Sequence, residues 1–267
     1  MAPMKVNDPQ FLKKQYQDSA NLDARIRLHQ RFSVNKYGWQ RWVFDQLQLP
    51  ERSRILELGC GPGNLWLDNL DRLPAGWEIF LSDFSSGMLE QTRLNLKDRP
   101  GFQFECFNAQ SIPFEDAHFD AVIANHMLYH VADKAAAFSE IRRVLKPGGV
   151  FYASTAGEQN LGEIRDLLCK FEAALAPWGR GFDSFTLENG TAQLAEWFSE
   201  VKLYRFAQAL EVTEAAPLVD YVLSGWARQN LEKRLDPFRQ FVRRELESHG
   251  GVLHITVDPC LFVSSRR

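Results

Sequence analysis

The stretch ILELGCGPGN, residues 55–64, sets three glycines at alternate positions directly after an aliphatic run. A short apolar run bounded by glycine reads as a buried strand. Glycines placed after a strand relieve the ban on positive φ and let a ligand approach the backbone, while the helix that follows offers free N–H groups. That is the outline of a nucleotide cradle, and spacing narrows it. Gly59, Gly61 and Gly63 form GxGxG, whereas the dinucleotide fingerprint GxGxxG would put its third glycine at position 64, where Asn64 stands. A lone GxGxG is equally a tight turn, so its company decides. Asp83 ends the next aliphatic run, EIFLSD (78–83), 20 residues after Gly63, where a carboxylate can accept hydrogen bonds from both ribose hydroxyls. Its competing reading is a turn residue that caps the next helix, a role for which Ser85 and Ser86 compete.

Working outward, further buried strands are predicted at FQFECF (102–107), FDAVIAN (119–125) and GVFYAST (149–155), with amphipathic segments between several of them. Near-continuous apolar strands alternating with helices predict an α/β parallel sheet covered on both faces. Crossover helices are predicted after Gly63 (Leu65, Leu67, Leu70, Leu73) and over 86–97 (Met88, Leu89, Leu94, Leu96). A third is carried by Phe138, Ile141, Val144 and Leu145 and ended by Pro147 and two glycines. Polar strand ends follow at FNAQSIPF and ANHMLYHV. In open α/β sheets such ends face the ligand at the topological switch point.

Composition sets the limits. The 267 residues are 45% hydrophobic and 24% charged, with 7 Trp and 20 Phe, which is the make-up of a folded chain. Its 31 basic and 34 acidic residues balance to −3 without long blocks of one sign, which argues against nucleic acid as partner. The opening MAPMKVNDPQFLKK lacks the apolar stretch of a secretory signal, and no later run approaches the length of a membrane span. A cytoplasmic protein without membrane contact is expected. Cys60, Cys106, Cys169 and Cys260 form no CxxC pair, so neither a zinc site nor a disulfide framework is expected.

In combination and order these motifs resemble the class I S-adenosylmethionine-dependent methyltransferases, of the small-molecule type similar to the ubiquinone and menaquinone biosynthesis enzymes. LELGCGPGN resembles the first motif of that family, LSDFSSGML the acidic second-strand motif, NAQSIPFEDAHFDAVIANHMLYHV the adenine loop with the fourth strand, and EIRRVLKPGGVFYAST the fifth-strand motif. The resemblance covers roughly residues 54–155. It implies a Rossmann-like, doubly wound sheet of seven strands, mostly parallel with one antiparallel strand, plus a helical cap. The implied division is an N-terminal cap (1–48), a cofactor-binding core (49–156), substrate-cap insertions (157–200 and 213–250), and closing strands of the core sheet (201–212 and 251–267).

It also implies S-adenosyl-L-methionine as cofactor. Glu57, Gly59, Cys60, Gly61 and Gly63 would frame its methionine part and Asp83 its ribose, with Phe84 and Met88 near the adenine. Asn108, Ala109 and Gln110 would edge the adenine, Asn108 standing where the family has aspartate, and Asn125 would lie beside the methionyl end.

Methyl transfer is an in-line displacement with a good thioether leaving group, so alignment and exclusion of water are the main demands. No metal is expected. A general base is needed only for a protonated acceptor; His130 and His126 are the candidates, each also readable as a hydrogen-bonded structural side chain. Tyr16, Tyr37, Trp39 and Tyr129 are candidate walls of the acceptor site, as are Trp178, Arg180, Phe182 and Phe185. Met127 and Leu128 read as packing of the sheet's rim. The partner expected is a small-molecule methyl acceptor, and the protein a monomer or homodimer. Competing readings on the same fold are an NAD-dependent oxidoreductase and a non-catalytic binding subunit; methylation of RNA or DNA is disfavoured by the charge balance.

Overall fold

All five aliphatic runs form strands. In the computed structural model, which describes residues 16, 20–97, 99–175, 184–225 and 227–266, two helices come first, α1 (Ala20–Phe32) and α2 (Trp39–Asp45). Then follow β1 (Arg54–Leu58), a short α3 (Asn64–Leu67), β2 (Glu78–Asp83), α4 (Ser86–Leu96) and β3 (Phe102–Cys106). Next come β4 (Phe119–Asn125), α5 (Lys134–Val144) and β5 (Leu145–Ala156). The remainder holds α6 (Gly162–Phe171), α7 (Gly190–Ala195), β6 (Ser199–Arg205), β7 (Gln208–Val212), α8 (Ala215–Leu223), α9 (Ala227–Leu231), α10 (Leu235–Ser248), β8 (Leu253–Val257) and β9 (Pro259–Ser265).

Seven strands form one sheet in the order β3-β2-β1-β4-β5-β9-β6. β9 runs antiparallel to both β5 and β6, while β1 to β5 pair parallel, as expected. The order reverses between β1 and β4, so the loops after these two strands open a crevice at the sheet's carboxyl edge. Alternate side chains of each strand feed two cores. Leu56, Leu58, Val122 and Phe151 pack with Phe138 and Ile141 of α5 on one face. Ile55, Leu81, Ile123 and Tyr152 pack with Val43 of α2, Trp66 and Leu89 on the other.

Several expectations shift. The helix predicted after Gly63 lasts only four residues. In α4, Leu94 points to solvent and Thr92 is buried in its place. β3 read as buried but lies at the sheet edge, where only one neighbour covers it and its residues stay half-buried or exposed. The extended stretch 201–212 is not one closing strand. It breaks after Arg205, β6 joining the main sheet and β7 pairing with β8 in a separate two-stranded sheet. The C-terminal strand divides at Asp258, whose carboxylate takes Arg205 at 2.6 Å and whose N–H donates to Asn160 Oδ1. Pro259 opens the interior strand β9, a position where its missing N–H is tolerated.

The caps divide differently too. α1 packs with α6, α8, α9, α10, β7 and β8 around a third core built on Leu28, Leu168, Leu210, Val222 and Phe238. α2 instead lies on the sheet, because Val43 joins the core beneath it. Residues 184–198, expected in a cap insertion, belong to the sheet's other face: Phe185, Leu194 and Phe198 are buried against Phe138 and Phe262. No described helix is long and apolar enough to cross a membrane.

Candidate cofactor and acceptor site

The glycine loop is tied down from several sides. Gly59, Gly61 and Gly63 all have positive φ, at 64°, 54° and 82°. A Cβ at Gly59 would stand 2.9 Å from Met127 Cβ, so the loop passes directly under the fourth-strand end. At Gly63 it would stand 2.8 Å from Thr92 Cγ2. Gly63 therefore makes room for α4 rather than for a ligand, and it does not line the cavity, contrary to the expectation for it. Cys60 N–H donates to Ser82 O (2.9 Å), Asn95 Nδ2 to Pro62 O (3.0 Å), and Thr92 Oγ1 to Gly61 O.

Two carboxyl groups lie beneath the loop. Asp83 is buried; its Oδ2 accepts from Gly61 N (3.1 Å) and its Oδ1 from Ser85 N (2.9 Å), joining the loop to the second-strand end. Burial raises its pKa, against the pull of these backbone donors. A carboxylate has about four acceptor sites, so two hydroxyls can still bind it. Glu57 Oε2 accepts from Trp66 Nε1 at 2.6 Å. Burial, opposed by that bond and reinforced by Asp83, pushes its carboxyl up to about 8.

At the third-strand end Asn108, Ala109 and Gln110 line the cavity, beside Phe84 and Met88. Phe84 is 44% exposed, an aromatic face turned outward, and Met88 is buried beneath. Asn108 Oδ1 is spent within the turn, accepting from Gln110 N at 2.9 Å, so the side chain shapes the loop. Arg143 braces the same loop, donating from Nη2 to Ile112 O (2.8 Å) and from Nη1 to Phe114 O (2.7 Å).

The fourth-strand end carries a polar relay. Asn125 Oδ1 accepts from Trp39 Nε1 (3.3 Å) and from Ser154 Oγ, and Asn125 Nδ2 donates to Gln40 Oε1 (3.3 Å). The side chain thus fastens α2 to the sheet. His126 has a left-handed φ of 53°, donates its backbone N–H to Ser154 Oγ, and lays its ring 5.1 Å from that of Trp39. Burial, with a smaller contribution from nearby His29, lowers its pKa to about 4, so its imidazole is neutral. His130 Nε2 lies 2.8 Å from Tyr16 Oη, and Tyr129 packs edge-on against the same imidazole, ring centroids 4.6 Å apart.

Of the residues expected at the cofactor and the two candidate bases, all but Gly63 border one cavity of ≈ 1610 Å³. Tyr16, Tyr37, Trp39 and Tyr129 also line it. Phe185 does not, being fully buried in the core, and Trp178, Arg180 and Phe182 lie outside the described residues. Sequence reasoning missed the wall supplied by α1. Leu22, Arg25, Ile26 and His29 all face the cavity, and their i, i+3, i+4, i+7 spacing was the available signal. Beside them stand Ser224, bonded to Arg25, and Tyr221, its ring 6.4 Å from that of His29, while Phe206 lies beside Trp39 and Trp42 at 5.8 and 5.3 Å.

Comparison with known proteins agrees with this geometry. Residues 56–153 match the family model described as "Methyltransferase domain". The ubiquinone/menaquinone biosynthesis C-methyltransferase of Xanthomonas oryzae pv. oryzae is 35% identical over 115 residues, 42% of this chain and 46% of that protein. The chain therefore spans about half the length of the curated relatives it matches. Among solved structures, Haemonchus contortus phosphoethanolamine N-methyltransferase 2 in complex with S-adenosyl-L-methionine superposes with a TM-score of 0.59 at 17% identity, covering 99% of this chain and 60% of that one. A methyltransferase fold from Bacillus halodurans gives 0.58 at 12% identity, covering 85% and 98%. The glycine loop after β1, the acidic end of β2 and the polar ends of β3 and β4 thus all fall within the stretch, residues 56–153, that matches a methyltransferase domain.

Proposed function

We propose that the protein transfers a methyl group from S-adenosyl-L-methionine to a small-molecule acceptor by in-line displacement. The observation that carries this reading is the single cavity shared by the glycine loop, Asp83 and the cap. Its ≈ 1610 Å³ exceeds the roughly 300–1,000 Å³ of an ordinary ligand pocket, room for cofactor and acceptor together. The lining suits the cofactor: a tied glycine loop, a buried carboxylate with spare acceptor capacity, and an outward aromatic face at Phe84.

Bound there, S-adenosyl-L-methionine supplies a methyl group on a sulfonium, with a neutral thioether as leaving group. Glu57, Gly59, Cys60 and Gly61 would border its methionine part, Asp83 would hold the ribose, and Phe84, Met88 and 108–110 would enclose the adenine. Trp39, held to Asn125, and the α1 face would exclude water and position the acceptor. His130 is the better placed base. Its Nε2 faces Tyr16 Oη, a partner that can relay a proton from a hydroxyl or amine acceptor. His126, with its pKa lowered to about 4, is a weak proton acceptor and fits a wall role.

The test is incubation with methyl-labelled cofactor and a small-metabolite extract. Label passing to a small molecule supports the reading; label passing to nothing, with cofactor bound, would sink it. His130→Ala should lower turnover by about 10²-fold or more with cofactor affinity unchanged, and full turnover would remove His130 from the mechanism.

A further inference from the structure

The α1 face of the cavity holds a cation whose charge nothing in the described protein balances. Arg25 Nε donates to Ser224 Oγ (3.0 Å) and its Nη2 to Ser224 O (3.1 Å), which fixes the guanidinium across the cap. Both partners are neutral. Among the described residues no carboxylate pairs with Arg25; it is buried, and the ionisable groups close to it are the phenols of Tyr16, Tyr221 and Tyr129. Arg25, Tyr16, Tyr129, Tyr221 and Ser224 all border the cavity. An enclosed guanidinium without a counter-charge is costly to fold, because its desolvation is not repaid by a partner. Its planar fork of donors matches a carboxylate or phosphate, and phenol hydroxyls can complete an anion's hydrogen bonds. Of the acidic groups that border the cavity, Glu57 and Asp83 are engaged with Trp66, Gly61 and Ser85, and Asp71 pairs with Arg41.

We propose that Arg25, ringed by Tyr16, Tyr129 and Tyr221, is an anion-binding subsite that selects acceptors bearing a carboxylate or phosphate. The subsite rests on the methyltransferase reading of the cavity. Tyr16 links it to the transfer chemistry, since the same side chain meets His130 at 2.8 Å. An acceptor anchored by its anion at Arg25 would present its other end to the fourth-strand end.

The test titrates the full chain, loaded with S-adenosylhomocysteine, with benzoate, phenyl phosphate and benzamide, which share a ring and differ in charge. At least one anion should bind about tenfold or more tightly than benzamide, and the stronger of the two tells carboxylate from phosphate. Arg25→Gln should reduce that preference to below about twofold, while Arg25→Lys, which keeps the charge, retains most of it. The affinity for S-adenosylhomocysteine should be unchanged in both variants. Anions that bind no better than benzamide, or not at all, overturn the subsite, as does a preference that survives in Arg25→Gln. Loss of S-adenosylhomocysteine affinity in that variant also overturns it, assigning Arg25 to the cofactor. Wild-type protein that fails to bind S-adenosylhomocysteine removes the methyltransferase reading and the subsite with it.

Discussion

Glu57 lies under the glycine loop with its carboxyl pushed up to about 8 from an ordinary value of 4.5. Between those two values the native state keeps a proton that the unfolded chain gives up. Stability from this group is therefore full below about 4.5 and lost as pH rises through about 8. Glu57→Gln carries no such proton. It should match the wild type near pH 5 and exceed it by on the order of a few kcal/mol above pH 8, read as melting temperature against pH; parallel curves for the two proteins would contradict the burial argument. On the proposed reading, Asp83 accepts hydrogen bonds from the cofactor. Asp83→Asn should weaken cofactor binding by about tenfold or more, the loss of a charged acceptor, measured by calorimetry with the fold checked by circular dichroism. The position of both residues on the cavity was legible in the sequence, because it depends on the ends of two consecutive strands. Asn108 was less so: its amide turns back onto Gln110, a local competition that the motif does not display.

At the scale of elements, the loop after β3 is shaped by α5 and not by its own sequence. Arg143 holds two of its carbonyls while pairing with Glu140 at 2.8 Å. Arg143→Ala should cost about 1–3 kcal/mol in urea unfolding, since it leaves buried carbonyls unpaired, and it should weaken cofactor binding by loosening Asn108 to Gln110. Unchanged stability would show that water replaces the guanidinium at no cost. The core strands were readable from their aliphatic runs. The edge position of β3 and the separation of β7 from β6 were not, because both depend on which strand lies alongside. An extended run states that it pairs, not with what. Phe185 shows the same limit, an aromatic loop residue that reads as a pocket wall and packs instead on Phe262, ring centroids 5.7 Å apart.

Over the whole molecule, the cap is assembled from distant parts of the chain. Arg25 and Ser224, 199 positions apart, meet at the cavity's border, and α1 shares a core with α8 and α10. That assembly is why the methyltransferase motifs were plain while the cavity wall supplied by the cap was not: motifs are contiguous, and a cap closed by long-range packing has no local signature. A ligand held between cap and sheet should stabilise both. S-adenosylhomocysteine at 100 times its dissociation constant should add about 2.7 kcal/mol, seen as a raised melting temperature and slower proteolysis of the cap. A melting temperature that does not move would place the ligand elsewhere or nowhere.

The central claim is that the room above the glycine loop belongs to S-adenosyl-L-methionine. The most direct measurement is calorimetric titration of the protein with S-adenosyl-L-methionine and, separately, with NAD. One equivalent of S-adenosyl-L-methionine should bind, with affinity lost in Asp83→Asn and no heat from NAD; tight NAD binding without S-adenosyl-L-methionine binding would contradict the account.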